Sequence, residues 1–145
     1  MKKNEYNVKA INDAYKNAHI AMQSISDLLP NVTDAGLKKE MNEEYKGYRE
    51  QIDKIADFMR ENKITPKDIG GFKKTMLFCA IKMKTLFNKS KNRIAGMMVE
   101  GTGMGINELS AMKNESKNLD EGVLNTITEL LKTEESYEKR LRKFL

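Results

Sequence analysis

Four glutamates have the positions that a carboxylate metal site would need. Glu134 occupies an apolar position of a helical pattern, and Glu138 follows one turn later on the same side. Glu44 and Glu100 stand in two other helical segments. Hard cations such as iron or manganese prefer carboxylate oxygens, and four-helix bundles bind them with inward-pointing glutamates. Iron or manganese is one hypothesis; the one we favour is that the chain holds no cofactor and that these glutamates pair with lysines at the bundle edge.

Other residue types that serve catalysis are sparse. Two-metal bundles also use Glu-x-x-His pairs, and this chain has none, since its single histidine, His19, lies beside the apolar stripe of the first helix. The single cysteine, Cys79, lies in the apolar run 76–81, which favours a buried thiol and a reducing compartment. No serine or cysteine has a recognisable partner base. The sequence therefore favours a protein that is not an enzyme.

Glycines cluster in one short stretch, at Gly96, Gly101, Gly103 and Gly105. Their number resembles that of a phosphate-binding loop, but such loops follow a β-strand, and here the apolar residues keep helical spacing through the glycines. Small residues in a helix let a neighbouring helix approach closely, at a cost of about 1 kcal/mol each in helix propensity. We therefore expect close helix packing, with Gly101 facing the core.

The segment from Phe72 to Val99 is basic and has no acidic residue, in a chain whose formal net charge is +5. Such a segment is typical of a surface that binds an anionic membrane or the phosphates of nucleic acid. A simpler interpretation is a helix that packs on the acidic second helix with its lysines in solvent. The apolar run 76–81 also favours self-association. The basic surface comprises Lys73, Lys74, Lys82, Lys84, Lys89, Lys91 and Arg93.

Apolar residues at alternating steps of three and four predict four helices. The first helix ends near Leu29, and Thr33 or Asp34 can cap the second. Asn118, with Glu121 three residues later, predicts a capping box for the last helix. The first, second and last stripes are Val8, Ile11, Tyr15, Ala18, Met22, Ile25 and Leu29; Leu37, Met41, Tyr45, Tyr48, Ile52, Ile55 and Met59; and Val123, Ile127, Leu130, Glu134, Tyr137, Leu141 and Phe144.

One domain spanning residues 1–145 is the expected organisation. Hydrophobic residues make up 39% and charged residues 32% of the chain, which is typical of a globular protein, and two prolines leave little room for loops. Short connections favour antiparallel neighbours, so we expect an all-α, antiparallel up-down-up-down four-helix bundle. The helical pattern from Phe72 to Met112 is too long for one bundle helix. We therefore expect a break at 88–92 and a short extra helix over 72–87.

Two segments carry a resemblance to a known family. They run from Ile94 to Ile106, which includes the glycine cluster, and from Leu131 to Leu141 near the end of the chain. Together with the four-helix pattern, they resemble small uncharacterised bacterial ferritin-like four-helix bundle proteins. The resemblance implies a ferritin-like fold.

The same resemblance bears on the metal hypothesis. Metal-binding members of the superfamily carry a glutamate on one helix of each pair and Glu-x-x-His on the other. Glu44 and Glu135 match the glutamates, whereas Gly47 and Glu138 stand where histidine would follow. The resemblance therefore implies the fold, with the metal function lost, altered or never present.

The leading functional hypothesis is a non-catalytic, cytoplasmic bundle that acts by binding or self-association, as a homo-oligomer, through its basic region from Phe72 to Arg93. A carboxylate-rich metal protein and a binder of anionic membrane or nucleic acid are the alternatives. The longest apolar run is far shorter than the roughly 20 residues of a membrane span, so no transmembrane segment is expected. No motif identifies a small-molecule substrate.

Overall fold

A computed structural model describes residues 3–67 and 90–145 of this chain. Within these residues the chain forms four α-helices: α1 (Lys3–Leu28), α2 (Ala35–Glu61), α3 (Lys91–Asn114) and α4 (Glu121–Leu141). Short 3-10 turns follow α1, α3 and α4, at Leu29–Asn31, Ser116–Asn118 and Arg142–Phe144. The four helices pack against one another, α1 chiefly on α2 and α3 chiefly on α4. The all-helical class expected from the sequence is confirmed for the described residues.

Contacts between helices set the direction in which each one runs. Along α2 and α4 the bonded pairs follow in reverse order, from Glu40 with Arg140, through Tyr48 with Glu134, to Lys54 with Glu129, so these two helices run in opposite directions. Short connections make α1 opposite to α2, and α3 opposite to α4. It follows that α1 and α4 run one way and that α2 and α3 run the other.

The predicted up-down-up-down order is therefore wrong, because it requires α2 and α4 to be parallel. Asn7 confirms the observed order, since it lies at the start of α1 and hydrogen-bonds to Asp120 at the start of α4. The last residue of α2 and the first of α3 consequently lie at opposite ends of the bundle. Sequence spacing could not reveal this, because only a short connection forces its two helices to be antiparallel.

The core contains most residues of the predicted apolar stripes, whereas Val8, Tyr15, Met22, Leu29, Tyr45 and Phe144 are only half-buried. On α2 the stripe also shifts by one residue. Ile11, Ile25, Met41 and Ile127 are among the residues of these stripes that are buried where the helices meet. Each such aliphatic side chain contributes about 1.5–3 kcal/mol by leaving water. The shift on α2 is at Tyr45, whose neighbour Glu44 occupies the interior position.

The two predicted helix caps had different outcomes. Asp34 caps α2, since its Oδ2 accepts a hydrogen bond from Leu37 N at 2.9 Å. The capping box of Asn118 and Glu121 is wrong, because α4 begins at Glu121 and Asp120 occupies its N-cap position. That residue is held by Asn7, whose amide donates to Asp120 Oδ2 at 2.9 Å and whose Oδ1 accepts from Asp120 N at 2.8 Å.

Part of the predicted basic surface lies outside the described residues. Lys91 and Arg93 are exposed in the first turn of α3, which begins within the predicted break at 88–92. The predicted extra helix over 72–87 lies outside the described ranges. No helix in 3–67 or 90–145 combines the length and the apolar character that a membrane span needs. The basic residues on which the structure gives no information are Lys73, Lys74, Lys82, Lys84 and Lys89.

Close packing of α2 on α4 depends on Gly47. A Cβ atom at this position would overlap the hydroxyl group of Tyr137 and lie 3.1 Å from its Cζ. We expect Gly47→Ala to destabilise the fold by about 1–3 kcal/mol in urea unfolding, because Tyr137 is a buried, rigid side chain. Gly101→Ala is the matched control: a Cβ there meets nothing within 4 Å, so the gain of up to about 1 kcal/mol in helix propensity should appear alone. Equal effects of the two substitutions would contradict the packing.

Candidate functional site

A partly open cavity of about 310 Å³ lies between α1 and α3, which supply most of its lining. Its size is at the lower end of the range for small-molecule pockets, roughly 300–1,000 Å³. From α2 and α4 it receives Glu44, Tyr48 and Glu134, each of which is only 1% exposed. Three buried polar side chains in a largely apolar wall are the distinguishing feature of this cavity. The apolar residues that the structure describes in the wall are Ile20, Ala21, Ile25, Leu28, Met97, Met98 and Met104.

Glu44 lies close to a group of charged side chains. Glu40 is one turn earlier on α2 and is the neighbouring acid that acts on Glu44 most strongly. Arg140 of α4 donates from Nε to Glu40 Oε1 at 2.9 Å and from Nη2 to Glu43 Oε2 at 2.6 Å. The Glu44 Oε2 atom is buried without a hydrogen-bond partner among the described residues.

Glu134 is bound through only one of its two oxygens. Tyr48 donates its hydroxyl proton to Glu134 Oε2 at 3.0 Å. The other oxygen, Oε1, is buried without a hydrogen-bond partner among the described residues. Gly105 of α3 makes room for it, since a Cβ atom there would lie 2.7 Å from this oxygen. The side chain of Asn17 donates a hydrogen bond to Gly105 O at 3.2 Å. It would also lie close to a Cβ atom at Gly105.

Burial makes both interior carboxyl groups weak acids. Loss of hydration is the largest cause that raises the pKa of Glu44 to about 10, and the neighbouring Glu40 adds to it. Loss of hydration also raises the pKa of Glu134 to about 8; the hydrogen bond from Tyr48 opposes this rise and the charge of Glu108 increases it. Near neutral pH, both groups therefore hold a proton for most of the time, and the interior avoids the large cost of an unpaired buried charge.

The structure brings together only part of the predicted metal set. Glu44 and Glu134 are buried in the cavity wall, whereas Glu100 is exposed although it also lines the cavity. Glu138 is half-buried and accepts hydrogen bonds from Arg142, one turn later in the chain. Within 3–67 and 90–145 no three histidine, cysteine or acidic side chains are arranged to hold a metal ion.

The donor set does not fit the two-metal centre that the ferritin-like resemblance implies. Glu135, which the resemblance matched to a ligand, is exposed, and the interior glutamate of α4 is Glu134. Three residues after the two interior glutamates, where such bundles carry histidine, stand Gly47 and Tyr137. The Tyr137 ring occupies the space beside Gly47. Since burial raises the pKa of Glu44 to about 10, it is also not a ready anionic ligand.

A glycine of α3 does allow a close approach, as predicted, but it is Gly105 and not Gly101. Gly101 is exposed, and a Cβ atom there would meet nothing within 4 Å, so it does not face the core. Gly105, one turn later, approaches Glu134 and Asn17 closely and is the position where a side chain would collide. A cluster of glycines in a helix signals a close approach, but the sequence does not say which of them makes it.

Sequence reasoning missed two residues of the site, Tyr48 and Asn17. Tyr48 was assigned to the core by its spacing, without its hydrogen bond to Glu134. Asn17 is only 7% exposed on α1, and a buried asparagine in a helical stripe is the signal that could have identified it. Its neighbour His19 is half-buried with its ring 4.5 Å from that of Tyr15, edge to face, and lies outside the described cavity wall. Burial lowers the pKa of His19.

The arrangement can accept a hydrogen-bond donor from a bound molecule. When Glu134 is ionised, its unpartnered oxygen is an acceptor at the wall of an apolar cavity, and the Tyr48 hydroxyl fixes the orientation of its carboxyl group. Comparison of the whole chain with protein-family models, with curated proteins and with solved structures finds no significant match. The site must therefore be interpreted from its own chemistry.

Proposed function

We propose that this chain is a non-catalytic, ferritin-like helical bundle that binds a small molecule in the cavity between α1 and α3. The observation that carries the proposal is the unpartnered Glu134 Oε1 in the wall of the 310 Å³ cavity. A buried polar atom without a partner costs about 1–3 kcal/mol, so a ligand that supplies a donor gains this amount in addition to apolar contact. Proteins tolerate such atoms chiefly where a function requires them.

The ferritin-like assignment is supported by the order of helix directions. In ferritin-like bundles, two antiparallel hairpins are joined by one long crossover connection. Here α2 ends and α3 begins at opposite ends of the bundle, as a single long crossover between two hairpins requires. The buried glutamates Glu44 and Glu134 lie on one helix of each hairpin, where the metal-binding bundles carry ligands. The chain is thus a ferritin-like bundle whose cavity binds an organic ligand.

Filling the cavity should abolish ligand binding. Ala21 of α1 lines the cavity, so Ala21→Phe places a ring in the space that a ligand would use. We expect the fluorescence of the neutral apolar dye Nile red to increase in the presence of the wild-type protein, and this increase to fall by about tenfold or more in the variant. Ala111→Phe is the matched control, because Ala111 is exposed on α3 away from the cavity.

Two outcomes would count against the cavity as a binding site. Nile red could give no signal with the wild-type protein, or Ala21→Phe and Ala111→Phe could reduce its signal equally. Light scattering on the same samples measures the self-association expected from the sequence. Self-association, an anionic partner for the basic region and a cytoplasmic location stay predictions, since most of the basic surface lies outside the described residues.

A further inference from the structure

We infer that the cavity takes a small amphiphilic amine, whose ammonium group binds to the Glu134 carboxyl group while its hydrocarbon part lies among the apolar side chains of α1 and α3. This inference rests on the proposed function, which it narrows to a class of ligand. Three independent features of the described site carry it: the acceptor atoms at one point of the wall, the charge of the lining, and its apolar remainder.

The first feature is a notch of acceptor atoms at Gly105. A Cβ atom at this glycine would lie 2.7 Å from Glu134 Oε1, 3.1 Å from Asn17 Nδ2 and 3.2 Å from Asn17 Oδ1, so the two side chains meet at this point of the wall. Asn17 Nδ2 donates to Gly105 O. Glu134 Oε1 has no donor from the described part of the chain. When Glu134 is ionised, this oxygen and Asn17 Oδ1 are acceptors, and an ammonium group offers three donors and no acceptor.

The second feature is the charge of the cavity lining. Apart from Glu44 and Glu134, which hold a proton near neutral pH, the described lining includes one basic residue, Lys16, and three acidic residues, Asp27, Glu100 and Glu108. Lys16 acts on Glu108, whose pKa burial raises and Lys16 lowers. A lining with an excess of carboxyl groups attracts cations and repels anions. This lining therefore repels anionic partners of the kind that the basic region from Phe72 to Arg93 would attract.

The third feature is the apolar part of the lining, which favours an amine with a hydrocarbon group over a metal ion. A metal ion needs several oxygen ligands around one point, and the described residues contain no such cluster. Instead, Ile20, Ile25 and Met98 offer apolar surface in the same cavity, together with the exposed methionine Met104. Methionine side chains adapt to ligands of different shape. A cation that carries a hydrocarbon group uses both parts of the cavity.

Binding transfers one proton from the site to solvent. In the empty cavity Glu134 holds a proton, because burial raises its pKa to about 8. An ammonium group makes a charge-assisted hydrogen bond with the ionised form, so the carboxyl group releases its proton to water when the amine binds. Tyr48 keeps its own proton, since burial raises its pKa well above the ordinary value, and still donates to Oε2. Affinity should therefore rise by up to about tenfold per pH unit from about pH 6 to about pH 8.

The test uses three ligands that share one hydrocarbon chain: hexylamine, hexanol and hexanoate, each titrated to displace Nile red from the full-length protein. We expect hexylamine to displace the dye at a concentration about tenfold or more below that of hexanol, and hexanoate to be the weakest. Glu134→Gln should remove the preference for the amine, because the amide keeps the shape and loses the charge. Glu135→Gln, an exposed neighbour on α4, should preserve it. Dye binding by both variants shows that they fold.

The outcomes separate the inference from the proposed function. If Nile red binds but hexanol or hexanoate displaces it as well as hexylamine does, the amine inference is wrong and the cavity site remains. If manganese ions displace the dye from wild-type protein more effectively than hexylamine, the occupant is a metal ion and the inference is also wrong. If the wild-type protein does not bind Nile red, the proposed function fails and the inference fails with it.

Discussion

Raising the pH from about 6 to about 8 should lower the free energy of unfolding, by up to ~1.4 kcal/mol per pH unit for each of the two interior carboxyl groups. In the unfolded chain both groups have an ordinary pKa of 4.5, whereas burial raises the pKa of Glu134 to about 8 and that of Glu44 to about 10. Above pH 4.5 the unfolded state therefore binds fewer protons than the folded state. The stabilisation that each of these two groups provides is complete below this pH. It then decreases as the pH rises, up to the folded pKa of the group.

Charged groups around the two interior carboxyl groups affect their pKa values and so the pH dependence of stability. Glu40, Glu43 and Arg140 surround Glu44, while Glu108 of α3 acts on Glu134. Glu134→Gln should remove one of the two contributions and raise stability at pH 8, because the amide oxygen still accepts from Tyr48 and never ionises.

Urea unfolding at a series of pH values measures this dependence. Glu135→Gln is the control for Glu134→Gln, since Glu135 is exposed on the same helix and its loss should leave the slope unchanged. A stability that stays constant or rises between pH 6 and pH 8 in wild-type protein would show that the two interior carboxyl groups are not held in their neutral forms.

Truncating Leu109 of α3 should destabilise the protein by about 2–5 kcal/mol. This side chain is 0% exposed and packs where α3 meets the rest of the bundle, so Leu109→Ala leaves a void as well as removing apolar contact. Met104→Ala is the control on the same helix, because Met104 is 63% exposed and its truncation should change stability by no more than about 0.5 kcal/mol.

Calorimetric or urea unfolding of these two variants tests the position of α3. Its sequence has four glycines, and the helix is bordered by residues outside the described ranges, so its docking is the least obvious part of the bundle from sequence. If Leu109→Ala and Met104→Ala have similar small effects, α3 does not pack in the orientation described.

Helix spacing predicted the bundle well because it follows directly from burial. The steps of three and four residues identify the buried face of α1, α2 and α4, and the same spacing correctly placed Glu134 among the apolar residues of α4. Glu44 was proposed only as a member of a metal set, because the stripe could equally continue through Tyr45. A small rotation of the helix decides between adjacent positions, and only packing against α4 fixes it.

Contacts between distant residues explain what the sequence could not predict. The helix order depends on the long connection between α2 and α3, whose two ends carry no directional signal. The hydrogen bond of Arg140 to Glu40, next to Glu44, joins residues 100 positions apart. The notch at Gly105 depends on Glu134 and Asn17 arriving from two other helices. Each feature is a consequence of tertiary packing, which residue spacing along one helix does not contain.

The protonation of Glu134 can be followed by a carbon-13 NMR titration of its side-chain carboxyl group, assigned by comparison with Glu134→Gln and repeated with hexylamine present. We expect a pKa of about 8 in the free protein and a lower pKa once the amine is bound, because the ammonium group favours the ionised carboxylate. A pKa near the ordinary value of 4.5 that hexylamine does not change would contradict both the buried neutral acid and the ligand that we infer.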